Sequence, residues 1–157
     1  AMKGLTAKVF RTHHSTETVK HYLSKHHGFK PSDPPFLKLH HARMANLDAA
    51  VRCNHKRTPP KTWESSFEKK QVHLTELSSK NVETEKQAAC LKQRIAKLKL
   101  DMELQKKTRD YNLNTSLRNY IDPRAYKAWA NKAEFDWKAI YPKTLQRKFL
   151  WAERAKV

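Results

Sequence analysis

Histidine is the residue type in this chain best suited to metal or proton chemistry, and six of the nine histidines come as adjacent pairs, His13-His14, His26-His27 and His40-His41. Neighbours on a helix point about 100° apart, so such a pair rarely shares one tetrahedral ion. Cys53 and Cys90 sit in unrelated segments and neither has a C-x-x-C partner. They mark neither a zinc site nor a disulfide framework. The expectation is no metal and no cofactor. Cationic chemistry is more prominent: Lys and Arg total 33 against 15 acidic residues, a formal net charge of +18. A charge that large on 157 residues points to a polyanionic partner. Residues 1–62 carry net +9, residues 63–108 net +3 and residues 109–157 net +6. The two ends are therefore the expected nucleic-acid faces.

The elements that would position such groups read as helices. Only Gly4 and Gly28 are glycines, too few to turn an extensive antiparallel sheet. Hydrophobic residues make up 38% of the chain, below the usual ~45–50%, so part of it reads as solvated helix. Thr16 to Lys25 carries an apolar stripe at Val19, Tyr22 and Leu23, with Ser15 or Thr16 as N-cap and Gly28 as a stop. A proline-rich loop follows over residues 30–35. Leu37 to Arg52 then places Leu39, Ala42, Ala45, Ala49 and Ala50 on a helix suited to close packing.

From Thr62 to Arg109 there is neither proline nor glycine. Leu91, Ile95, Leu98 and Met102 alternate by four and three, the spacing of a coiled-coil seam. With Phe67, Leu74 and Leu77 ahead of the polar cluster Ser78-Ser79-Lys80-Asn81, this predicts an antiparallel hairpin over a single long helix. Beyond it, Asn114-Thr115-Ser116 reads as a cap-like cluster and Asp122-Pro123 as a helix start. Tyr126, Trp129 and Ala130 share a face. Ile140, Tyr141, Leu145, Phe149 and Trp151 predict a last helix packed on the body. No apolar run reaches the ~18 residues of a membrane span, and Ala1-Met2-Lys3 opens no signal peptide. No membrane partner and an intracellular, reducing compartment are the default expectations.

Four stretches resemble the eukaryote-type DNA topoisomerase IB family. They are Gly4-Leu5-Thr6-Ala7-Lys8-Val9-Phe10-Arg11-Thr12, Cys53-Asn54-His55-Lys56-Arg57-Thr58-Pro59-Pro60-Lys61-Thr62, Leu117-Arg118-Asn119-Tyr120-Ile121-Asp122-Pro123-Arg124 and Ile140 to Ala152. Their order and the intervening insertion also match. The resemblance implies an all-α fold, the helical half of a tyrosine recombinase/topoisomerase IB catalytic domain. It divides the chain into 1–62, the end of the catalytic core; 63–108, a protruding antiparallel coiled-coil hairpin; and 109–157, a small helical C-terminal module with the active-site tyrosine. A hairpin this short points to a short-linker member, archaeal or otherwise compact. The compartment is then the nucleus if the source is eukaryotic, and the cytoplasm or nucleoid if it is archaeal.

By the same resemblance, Tyr120 is the nucleophile, and Arg11 and His55 bind the phosphate under attack. A phenol with a pKa near 10 is a weak nucleophile at neutral pH. Arg11 brings a rigid fork of donors and His55 a ring N–H to the non-bridging oxygens, where charge builds in the transition state. The implied product is a 3′-phosphotyrosine, which stores the bond energy so that religation needs neither ATP nor metal. Arg57, Lys61, Arg118, Asn119 and Arg124 flank these segments and are expected to touch DNA, positioning it without reading sequence. The family also uses an arginine and a general-acid lysine upstream of Arg11. The chain is thus expected to be a fragment whose partners are double-stranded DNA and the upstream part of the same enzyme, in cis or in trans. The alternative is a non-catalytic basic helical DNA-binding protein. Site-specific recombination is the third reading, and the insertion before Tyr120 argues against it.

Overall fold

Alanines 42, 45, 49 and 50 leave little side chain on one face of the second helix, so a neighbouring backbone can come close. The computed structural model describes residues 4–26 and 28–155; His27 and the opening Ala1-Met2-Lys3 lie outside them. Among the described residues there are eight α-helices, one 3₁₀ turn and no strand. The helices are α1 (Ala7–Lys25), α2 (Pro35–Arg52), α3 (Trp63–Ser78), α4 (Glu85–Lys107), α5 (Leu113–Asn119), α6 (Pro123–Lys132), α7 (Lys143–Lys148) and α8 (Trp151–Arg154). The 3₁₀ turn, Trp137–Ile140, lies between α6 and α7. No helix among them is long and apolar enough to cross a membrane.

The chain divides into two units. One is Ala1–Arg57 together with Tyr111–Val157, and the other is Thr58–Asp110. In the first, α1 lies on the alanine face of α2, and Val19, Leu23, Ala42, Ala45 and Ala49 are buried there. The same core takes in Leu117 and Ile121 from around α5, and Ala125, Tyr126, Trp129 and Ala130 from α6. Tyr126 is fully buried, and its hydroxyl donates to the Ala42 carbonyl at 3.1 Å. Tyr141 meets Tyr126, Trp137 and Phe149 edge to face at centroid distances of 5.9, 5.7 and 5.2 Å, the geometry that ring quadrupoles favour. The Tyr141 hydroxyl is buried without a hydrogen-bond partner among the described residues.

Three sequence expectations need correction. Ser15 and Thr16 do not cap α1: the helix starts at Ala7, and both side chains are buried inside it. Asn112 caps α5 by accepting from the Asn114 N–H at 3.0 Å, and Asn114-Thr115-Ser116 lie within the helix. The predicted last helix is three short pieces. Asp136 caps the 3₁₀ turn, Pro142 precedes α7, and Gln146 donates to the Lys138 and Tyr141 carbonyls at the junction. Trp151, placed in the core by its spacing, is 51% exposed. By contrast, Asp122 caps α6 with Pro123 in its first turn, as the residue pair predicts.

In the second unit α3 and α4 run antiparallel, because the Trp63 indole at the start of α3 donates to the Gln105 carbonyl near the end of α4. Thr84 caps α4 by accepting from the Gln87 N–H. Leu77 is buried, and Phe67, Leu74, Leu91, Ile95, Leu98 and Met102 are half-buried, so the pair shares one narrow apolar seam.

Candidate active site

Helix α2 ends in a way that fixes His55. Cys53 is the C-cap and Asn54 adopts the left-handed conformation, φ 53°. The Asn54 N–H bonds to the Val51 carbonyl at 3.0 Å and the His55 N–H to the Ala50 carbonyl at 2.9 Å. This is the Schellman pattern, which closes the last helical carbonyls and turns the chain sharply. Asparagine tolerates the left-handed region better than other non-glycine residues. The His55 carbonyl accepts from the Asn112 N–H at 2.8 Å, and Lys56 pairs with Tyr111 in an isolated antiparallel bridge. The start of the α5 segment is thereby clamped to the end of α2.

Tyr120 is the C-cap of α5, and its N–H bonds to the Ser116 carbonyl at 2.9 Å. Ile121 also donates to that carbonyl and buries its own side chain. The next N–H, Asp122, donates to Thr16 Oγ1 at 3.1 Å, which ties the tyrosine segment to α1. The Tyr120 ring stacks against the His55 imidazole, with centroids 5.2 Å apart and planes 29° apart. Both residues are half-buried.

Arg11 lies on the exposed face of α1. Loss of hydration lowers the His55 pKa from its ordinary value, and the Arg11 charge lowers it further. His55 is therefore mainly neutral near pH 7. Its Nδ1 is buried and has no hydrogen-bond partner among the described residues. One turn beyond Arg11, Ser15 Oγ lies 3.0 Å from Cys53 Sγ and links α1 to the cap of α2. The fold thus puts the rings of His55 and Tyr120 in contact and Arg11 within electrostatic reach of His55. Arg11 and Tyr120 stand 109 positions apart in the chain.

The flanking cations are less uniform. Arg118 and Asn119 are exposed in the last turn of α5, and Lys148 donates to the Arg118 carbonyl at 3.0 Å. Arg124 grips Asp122 with Nε and Nη2, the latter at 2.6 Å, and lies 5.7 Å from the Trp151 ring centroid. Burial pushes the Asp122 carboxyl up, but its bonds to Arg124 and the charge beside it outweigh that and hold it below its ordinary value, while Asp122 raises the Arg124 pKa in turn, so this cation is partly committed within the chain. Arg57 is exposed at the end of the first unit, and Lys61 is exposed in the second. Sequence reasoning missed Thr16, Asn46, Asn54 and Ser116, the polar residues whose bonds and backbone turn hold the two ring-bearing segments. The signal was there for Asn46, a lone amide among Ala42, Ala45, Ala49 and Ala50.

The model described as "Eukaryotic DNA topoisomerase I, catalytic core" matches residues 1–89, and one described as "C-terminal topoisomerase domain" matches residues 92–157. The chain belongs to the eukaryotic DNA topoisomerase I family. Its relatives include DNA topoisomerase 1 of Drosophila melanogaster, 36% identical over 96% of this chain and 16% of that protein. DNA topoisomerase 1 of Homo sapiens is 33% identical over 96% of this chain and 23% of its own length. That of Caenorhabditis elegans is 32% identical over 96% and 20%. The chain spans less than a quarter of the length of these topoisomerases. All three come from animals and lend no support to an archaeal source.

Proposed function

We propose that this chain is part of a type IB DNA topoisomerase that cuts one strand of duplex DNA with Tyr120. The observation that carries the reading is the stacked contact between the Tyr120 and His55 rings. A phenol oxygen beside an imidazole, with a guanidinium close enough to shift that imidazole's pKa, suits attack on a phosphodiester. The Tyr120 oxygen bonds to phosphorus as the bond to the 5′-oxygen breaks, leaving a 3′-phosphotyrosine and a free 5′-hydroxyl. Arg11 and an N–H of neutral His55 meet the charge gathering on the non-bridging oxygens. Rotation of the free end relaxes supercoils, and the reverse attack reseals the strand without ATP or metal.

The departing 5′-oxygen needs a proton. By family resemblance it comes from a lysine upstream of Arg11, where a second arginine also lies. The chain alone is thus inactive and works with that upstream part, in cis or in trans. Exposed Arg118, Asn119, Arg57 and Lys61 suit phosphate contacts, and Arg124 suits them only by loosening its hold on Asp122. Residues 63–108 form a coiled-coil linker between the core segment 1–62 and the tyrosine module 109–157, and their net charge of +3 favours loose contact with DNA. A eukaryotic enzyme of this kind works in the nucleus.

The test is a nicked suicide oligonucleotide offered to the chain together with the upstream catalytic segment of a relative. The expected result is a covalent adduct that Tyr120→Phe abolishes. DNA binding that persists with no adduct under any complementation leaves a basic helical DNA-binding protein instead.

A further inference from the structure

We propose that Asn46 and Ser116 are positioning residues of the cleavage reaction, setting the register between the helix that ends in His55 and the turn that carries Tyr120. The inference rests on the functional reading above. Ser116 Oγ donates to Asn46 Oδ1 at 2.7 Å and lies 3.1 Å from the Leu113 carbonyl; Asn46 Nδ2 donates to that same carbonyl at 3.0 Å. Asn46 is 3% exposed and Ser116 not at all. Their surroundings are apolar, with Ala42, Ala45, Ala49 and Leu117 buried alongside.

A polar pair in such a place gains little net stability over a well-packed apolar pair, because both partners give up hydration. What it adds is direction. A methyl contact tolerates sliding, whereas a hydroxyl-to-amide bond holds over a few tenths of an ångström. Ser116 is held on two sides. Its hydroxyl fixes it to α2, and its carbonyl receives the N–H groups of Tyr120 and Ile121 at 2.9 and 3.1 Å. From Asn46 the rigid backbone of α2 runs to the cap that aims His55. This bond is therefore a buried side-chain link between α2 and the turn that carries Tyr120, in addition to the backbone bond from Asn112 to His55 at the start of α5.

The other links between the catalytic elements are less buried. Ser15 to Cys53 joins α1 to the cap of α2, and Thr16 to Asp122 joins α1 to the tyrosine segment. Neither spans α2 and α5; the backbone bond from Asn112 to His55 does, but at the opposite end of α5 from Tyr120. Misplacing a reacting atom by ~1 Å can cost ~100-fold in rate, so small slippage of α5 along α2 is enough to be seen.

Ser116→Ala removes the bond and leaves almost no cavity. In the complemented assay, single-turnover adduct formation at saturating DNA is expected to slow by ~10-fold or more. DNA affinity should stay within about twofold, since no phosphate contact is touched. In the chain by itself, the His55 imidazole proton shifts are expected to lose the ring-current contribution of Tyr120. The double variant Asn46→Ala/Ser116→Ala should be slowed by less than the product of the two single effects, since both residues share one bond. If Ser116→Ala fails to fold, Ser116→Cys keeps the volume with a weaker donor and carries the same test. A folded Ser116 variant with the wild-type rate and unchanged imidazole shifts overturns the proposal. An adduct that survives Tyr120→Phe overturns the functional reading instead, and the spectroscopic result still decides the register.

Discussion

The cap of α2 permits a sharp experiment at Asn54. Its φ of 53° is cheap for glycine and tolerable for asparagine. An L-residue with a Cβ meets a cost of roughly 1–2 kcal/mol there, and valine's branched Cβ lies at the upper end. The chain can escape by abandoning the turn, but it then loses the bonds from Asn54 to Val51 and from His55 to Ala50. At ~1 kcal/mol each, that route costs about as much. Both routes put Asn54→Val near 2 kcal/mol of destabilisation. For a chain of this size that lowers the melting temperature by ~4–8 °C. Asn54→Gly relieves the backbone but adds freedom to the unfolded chain, so its net effect is a few tenths of a kcal/mol. Thermal melts followed by tryptophan fluorescence suit the test, since Trp129 and Trp137 are buried in the same unit. Because His55 is aimed by this turn, adduct formation should fall with the valine and hold with the glycine. Equal melting temperatures for the two variants would refute the claim that the left-handed turn sets the geometry.

His55 has a lowered pKa in the folded chain, so between that value and its ordinary ~6.5 the unfolded state binds the extra proton. Stability then rises with pH through that window, and the contribution is lost as pH falls through the folded value; His55→Gln should flatten this part of the curve in denaturation measured from pH 5 to 8. The two buried tyrosines should respond oppositely in urea titrations. Tyr126→Phe removes the bond to Ala42 and costs ~1 kcal/mol, whereas Tyr141→Phe deletes a buried hydroxyl without a partner and is neutral or stabilising by up to ~1 kcal/mol. Burial raises the pKa of both phenols above the ordinary tyrosine value.

Periodicity made the helices legible because each buries one face. The stripes at Val19 and Leu23 and at Ala42, Ala45 and Ala49 are core in the structure. The start of α1 is hidden because its first turn buries nothing: Val9 and Phe10, like Leu5 just ahead of the helix, are each about half exposed. With no apolar face to mark them, Ser15 and Thr16 looked like a helix start, although their hydroxyls serve long-range bonds to Cys53 and Asp122. The continuous last helix failed at Pro142 and at a turn capped by Asp136, where local chemistry outweighed the apolar spacing. Tyr120, His55 and Arg11 were named through resemblance, since spacing says nothing about residues this far apart. The bond that supports them is not legible: Asn46 stands out as a lone amide among alanines, but Ser116 is 70 positions away and no local pattern announces a bond of that reach.

Arg57 and Tyr111 bound a detour of 53 residues, yet the backbone on either side of it is stitched together by the Lys56–Tyr111 bridge and the bond from Asn112 to His55. Entrance and exit being neighbours, the excursion can lengthen or shrink with only a logarithmic entropy cost, about 0.6 kcal/mol for each doubling of a flexible loop. Evolution is thereby free to resize the insert while the stitched base, and the imidazole beside it, stay where they are.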